Sequence, residues 1–170
     1  MSSIVAAGKE ALPADARAGK YLTFQLAGEE FGILVLKVRE IMGIQEITAV
    51  PRVPSHVKGV LNLRGKVVPV IDLRLRFGLP PAEYTARTCI IVTQTEGESG
   101  LMLTGVIVDG VSEVVNLAAS DIEDTPDFGE EVASQYLLGM AKVKGKVKIL
   151  LDINKVLRTQ DLRALHALRQ

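Results

Sequence analysis

Residues 59–73 read GVLNLRGKVVPVIDL, and residues 139–153 read GMAKVKGKVKILLDI. Superposed, Gly59 falls on Gly139, Leu63 on Val143 and Arg64 on Lys144; Gly65, Lys66 and Val67 fall on Gly145, Lys146 and Val147. Val70, Ile71 and Asp72 then meet Leu150, Leu151 and Asp152. A basic residue before Gly, flanked by apolar runs of strand-forming residues, predicts a tight β-hairpin. Its recurrence with an aspartate at the same distance predicts an internal repeat and a fold of two related halves.

Working outward, FGILVLKVREI (residues 31–41) matches TGVIVDGVSEV (residues 104–114). Gly32, Ile33, Val35, Val38 and Glu40 fall on Gly105, Val106, Val108, Val111 and Glu113. Each half thus reads hairpin, short turn with a glutamate, strand, loop, hairpin. YLTFQLA from Tyr21 alternates as a half-buried strand does, and Gly28-Glu29-Glu30 turns it into Phe31 to Val35. A further strand is expected over Ile41 to Ile47, and Pro51 and Pro54 enforce a loop before the opening hairpin. In the second half Arg87 to Thr95 and Leu101 to Val108 pair across a polar TEGESG loop, and Ala118 to Glu131 forms an acidic loop carrying Phe128. From Asp152 the apolar spacing becomes helical, with Asp152 placed as a cap.

The fold class expected is all-β: two SH3-like five-stranded barrels, related by the repeat, with short helical turns and a C-terminal helix. One sandwich is the rival architecture. Halves of roughly 60 residues bury too little surface to stand alone, so they should share a hydrophobic core. With aromatics scarce and Trp absent, that core must be built of Val, Ile and Leu. We expect a disordered tail over 1–19, a domain over 20–157 with halves at about 20–86 and 87–157, exchange of strands between them left open, and a helical tail over 158–170.

Composition narrows the function. Lys plus Arg total 20 and Asp plus Glu total 20, so the broad basic field that nucleic acids or anionic membranes attract is missing. A single cysteine, Cys89, allows no internal disulfide and suits a reducing cytoplasm. No apolar run approaches the ~20 residues of a membrane span. The histidines, His56 and His166, lie in no HExxH motif, GxSxG and phosphate-binding glycine loops are absent, and no His or Cys pair has metal-ligand spacing. Cys89 opens an apolar strand and reads as a small hydrophobe. Glu29-Glu30 and Glu130-Glu131 read as solvated turn charges.

What remains is a non-enzymatic surface. Glu40 and Arg64 can meet across the first barrel and fix the short turn, or be two unrelated surface charges. Val35, Val38 and Val111 suit either core or an apolar groove that takes a partner's helix. Phe128 suits either a cover for the second barrel or an interface anchor. Two rival classes stay open: an OB-like single-strand nucleic-acid binder, and a small enzyme using Cys89.

Four stretches taken together resemble the CheW family of chemotaxis coupling proteins and the homologous regulatory domain of the kinase CheA. They are EEFGILVLKVREI (29–41), VKGVLNLRGKVVPVIDLR (57–74), VDGVSEV (108–114) and YLLGMAKVKGKVKILLDINKVL (136–157). The resemblance implies two SH3-like barrels and a cytoplasmic adaptor, recruited to membrane receptor arrays, that joins chemoreceptor signalling tips to the histidine kinase CheA. It brings no catalysis and no cofactor. It implicates Val35, Val38, Glu40, Gly59, Arg64, Ile90 and Val111 in receptor binding, and Ile44, Ile47, Thr48 and Phe128 in kinase binding. Glu123 stands where some relatives carry a basic residue, which weakens charge pairing at the kinase contact. An adaptor of a non-flagellar chemosensory pathway is the alternative within the family.

Overall fold

The structure is a computed structural model that describes residues 14–97, 100–125 and 136–157. After a helical turn α1 (Ala14–Arg17) come β1 (Gly19–Leu26), β2 (Glu29–Leu34), a 3-10 turn (Val35–Lys37) and β3 (Val38–Gly43). The repeated hairpin is β4 (Val57–Leu63) and β5 (Lys66–Asp72), followed by α2 (Leu73–Arg76). The second half runs β6 (Cys89–Gly97), β7 (Gly100–Val108), β8 (Gly110–Leu117), a 3-10 turn (Ala119–Asp121), β9 (Ile122–Glu123), β10 (Leu137–Val143), β11 (Lys146–Leu151) and α3 (Ile153–Leu157).

The two hairpin copies turn in the same way. Arg64 and Gly65 have φ of 51° and 90°, Lys144 and Gly145 of 54° and 81°. Positive φ at both central residues is the signature of a type I′ turn, whose twist matches that of the flanking strands. The aspartate that ends each copy caps a helical turn: Asp72 Oδ1 accepts the N–H groups of Arg74 and Leu75, and Asp152 Oδ1 those of Asn154 and Lys155.

The strands form two sheets, in the orders β8-β1-β2-β11-β10-β9 and β3-β6-β7-β5-β4. Neither sheet is made of one half of the chain. The first hairpin, β1–β2, lies beside β8 and β11 of the second half, while β6–β7 lies between β3 and β5 of the first. The exchange is reciprocal down to the register: β11 runs parallel to β2 with Leu150 opposite Gly32, and β5 runs parallel to β7 with Val70 opposite Gly105, so the same repeat positions meet in both sheets. The sixth strand of the larger sheet is the two-residue β9.

Exchange explains the continuous apolar runs, because these strands are buried on both faces. Alternate residues enter different clusters. Ile90 and Val92 face a cluster inside the five-stranded sheet, with Leu61, Val68, Val70 and Ile107. Ile91, between them, enters a shared cluster with Leu22, Phe24 and Ile33 of the other sheet and Val156 and Leu157 of α3. Tyr21, Leu117, Ala141 and Leu150 make the corresponding cluster of the six-stranded sheet. An aromatic row, Phe24, Phe31, Phe77 and Tyr136, with ring centroids 6.0, 6.2 and 6.0 Å apart in succession, crosses the shared core.

Several local expectations need correction. Within the segment expected as a disordered tail over 1–19, Arg17 is buried, donates from Nη1 to the Leu138 carbonyl at 2.7 Å, and its own carbonyl accepts the Tyr21 hydroxyl at 2.7 Å. These hydrogen bonds tie α1 to β10 and to β1, contacts that a polar, aperiodic segment does not advertise. The strand expected over Ile41 to Ile47 instead ends at Gly43 and begins at Val38. The TEGESG loop is mostly strand, since β6 extends through Gly97 and β7 resumes at Gly100. The acidic loop from Ala118 contains a 3-10 turn and β9 before the described residues stop at 125. The remainder of the tail, Phe128 and the C-terminal tail over 158–170 lie outside the described residues.

Candidate functional site

Glu40 and Arg64 do meet. β3 carries one extra residue between Val38 and Glu40 relative to its neighbour β6, a bulge that bends the strand. Arg64 occupies a left-handed backbone position at the β4–β5 turn, and Asn62 Oδ1 accepts the Gly65 N–H at 2.8 Å to hold that turn. The guanidinium grips both carboxylate oxygens of Glu40, Nη1 at 3.5 Å from Oε1 and Nη2 in closer contact with Oε2. Because β3 and β4 are the two edges of the five-stranded sheet, this pair ties one edge to the turn at the other. Arg64 is 71% exposed, so solvent screens the pair and its effect is to fix geometry.

Val35, Val38 and Val111 are half-buried and pack on the rim of the shared cluster, Val38 two residues before Glu40 and Val111 on β8 of the other sheet. Gly59 is buried and its φ is 142°; a Cβ there would overlap the Thr48 carbonyl. That glycine is required because Thr48 and Val60 exchange backbone hydrogen bonds of 2.9 Å in each direction across the sheet edge. Gly59 therefore sets how closely the segment carrying Thr48 approaches β4. Ile90 does not qualify as a contact residue, since its side chain is fully enclosed in the cluster of the five-stranded sheet.

Of the other expected set, Ile44 is exposed, Ile47 packs partly on the same cluster as Ile90, and Thr48 is exposed on the bridging segment. They follow one another after β3, and the Thr48 to Val60 bridge fixes their position. Phe128 lies outside the described residues. Glu123, in β9, is exposed and pairs with Met140 through the backbone.

The reading of Glu30 as a solvated turn charge is overturned. Its carboxylate accepts from Lys148 Nζ at 2.7 Å and from Gln25 Nε2 and Ser112 Oγ, each at 3.2 Å, and the Lys148 side chain is only 6% exposed. Burial pushes the Glu30 carboxyl up, but the hydrogen bonds from Lys148, Gln25 and Ser112 outweigh it and hold the group below the usual carboxylate range. Asp109 behaves alike: burial opposes ionisation, and Arg74, bound at 2.9 and 3.0 Å, with the Ala27 N–H at 2.8 Å, more than offsets it. Neither partner is near in sequence, so only the strand exchange could have revealed these pairs. Glu113 and Lys144, which the repeat places where Glu40 and Arg64 stand, pair at 3.7 Å.

Cys89 is half-buried on the shared cluster, with Sγ 3.2 Å from the Arg87 carbonyl oxygen. Among the described residues no group of three or more His, Cys, Asp or Glu could hold a metal ion. Among them too, no helix is long and apolar enough to cross a membrane.

A family model described as the CheW-like domain matches residues 20–161. The chain is 39% identical over 143 residues to the chemotaxis protein CheW of Klebsiella aerogenes, covering 84% of each chain. It is 32% identical over 143 residues to the chemotaxis protein CheW of Rhizobium meliloti, covering 84% of this chain and 90% of that one. The crystal structure of the scaffolding protein TtCheW from Thermoanaerobacter tengcongensis superposes with a TM-score of 0.75 at 30% identity, over 85% of this chain and 95% of that chain. The strand exchange and the repeated hairpin are therefore features of a known architecture, and the chain belongs to the CheW-like domain family.

Proposed function

We propose that this chain is a non-enzymatic coupling adaptor of chemotaxis signalling, joining chemoreceptor signalling tips to the regulatory domain of the histidine kinase CheA. The observation that carries the reading is the two-pronged grip of Arg64 on Glu40, which fixes the bulged start of β3 where Val38 lies half-buried on the rim of the shared cluster. It offers a fixed apolar rim with a charged edge, the kind of surface that accepts an amphipathic helix. The receptor face then comprises Val35, Val38, Glu40, Arg64 and Val111, with Gly59 setting the approach of Thr48 to β4. The kinase face comprises Ile44, Ile47 and Thr48, with Phe128 as its further contact.

Such an adaptor acts by geometry. Several modest contacts within one receptor assembly multiply through effective concentration, and recruitment to membrane arrays follows from binding receptors. Receptor state reaches the kinase as a shift in the populations of these contacts. The nucleic-acid reading has no basic surplus to support it. The test is paired capture on a receptor tip fragment and on the kinase regulatory domain. Val38→Ala is expected to weaken receptor capture by about tenfold while sparing the kinase, and Phe128→Ala the reverse. Undiminished capture by both variants would overturn the site assignment.

A further inference from the structure

Leu36 is 65% exposed, although it lies between two valines that pack on the shared core. The repeat supplies its control. The matching position in the second half is Asp109, whose side chain is consumed internally by Arg74 and the Ala27 N–H. The fold therefore asks for a polar residue or for none in particular here, and the first half carries a leucine that touches no cluster.

Nor is the leucine on a loose segment. Gln94 Nε2 donates to the Leu36 carbonyl at 3.1 Å, and Gln94 Oε1 accepts from Arg39 Nη1 at 3.1 Å. The Val38 N–H closes the 3-10 turn on the Val35 carbonyl. Lys37 and Arg39 follow the leucine at the next and third positions, and the nearest acid in sequence, Glu40, is engaged by Arg64. Among the described residues, neither Lys37 nor Arg39 has an ion-pair partner. A pre-set exposed leucine followed closely by two cations without ion-pair partners fits an apolar stripe with carboxylates along its border.

We infer that Leu36 anchors the receptor partner by inserting into the apolar stripe of an amphipathic helix, and that Lys37 and Arg39 select helices whose stripe is flanked by Asp or Glu. The inference rests on the receptor-face reading above. It adds the anchor and the charge of the partner, which Glu40 and Arg64, compensating each other, do not specify.

The probe is a helical signalling-tip fragment of a chemoreceptor, titrated against the full chain by fluorescence anisotropy at low and high salt. Leu36→Ser is expected to weaken binding by about tenfold or more, the loss of one buried leucine. Lys37→Gln combined with Arg39→Gln is expected to weaken it several-fold at low salt and to flatten its salt dependence. Val114→Ser, an exposed apolar residue on β8 of the second half, should bind like the native chain. If Leu36→Ser binds within about twofold of native while Arg64→Ala is impaired, the anchor is overturned and the receptor face stands. If Arg64→Ala also binds as native, the receptor face falls and the inference with it. Vesicles containing phosphatidylglycerol form a second arm: loss of Leu36-dependent sedimentation without loss of tip binding would overturn the helix in favour of a membrane surface.

Discussion

The two ends of the molecule carry the same construction with different chemistry. Glu40 and Arg64 tie the edge strand β3 to the β4–β5 turn; Glu113 and Lys144 do the same for β8 and the β10–β11 turn. Gly59 lets Thr48 reach Val60, and Gly139 lets Glu123 reach Met140; a Cβ on Gly139 would come within 2.6 Å of the Glu123 carbonyl oxygen. At Gly59 and Gly139, and at Gly65 and Gly145, the copies agree because the backbone demands a glycine. They differ where side chains are free to specialise: a forked guanidinium against a single ammonium at 3.7 Å, Asn62 bracing one turn against the exposed Lys142, Leu36 against Asp109. A repeat thus separates what the architecture needs from what one copy has acquired.

The largest break in this comparison is expected at the buried ion pair. Lys148 and Glu30 occupy the repeat positions of Val68 and Leu103, so the second copy has a charge pair where the first has an apolar one. Lys148→Val should cost about 3 kcal/mol in urea unfolding, the low end for a broken buried pair because Gln25 and Ser112 still hydrogen-bond the carboxylate. Adding Glu30→Leu transplants the first copy's solution and should restore most of that stability. Next comes Gly59→Ala, expected to cost about 2–4 kcal/mol through backbone overlap with Thr48, and more than Gly139→Ala, where the approach is less close.

Acid gives a smaller, signed effect. Glu30 and Asp109 are both held below the usual carboxylate range, so the unfolded chain binds their protons first. The stability they contribute is full above an unfolded pKa of about 4 and fades as pH drops through their lower folded values. Thermal melts should therefore lose Tm below about pH 4, and the Lys148→Val, Glu30→Leu variant should lose less.

The hairpin copies and the cap at Asp152 are legible in the sequence, because each depends on residues whose spacing is local or repeated, whereas the Glu40 to Arg64 pair is legible only as one of two alternatives. Asp72 and Asp152 stand at matching places in the two copies, and the capping role goes with the place. Ile90 is implicated by the resemblance alone, and alternation could not have corrected it, because β6 is buried on both faces and the pattern does not tell an inner from an outer side chain. Arg17, Glu30 and Asp109 are hidden because their partners come from far along the chain, through contacts that periodicity does not encode. Thr48 carries no strand signal, since a lone bridge leaves no pattern.

The smallest structural change concerns the two closing pairs. Arg64→Lys makes the first copy like the second; it should leave the melting temperature unchanged yet weaken receptor capture by about tenfold, because an ammonium cannot span both Glu40 oxygens.

The most direct test of specialisation within the repeat is receptor-tip capture by Arg64→Ala and Lys144→Ala in one assay. Loss of capture with Arg64→Ala alone, Lys144→Ala binding like the native chain, is the predicted result; equal loss in both, or loss with Lys144→Ala only, would contradict the account.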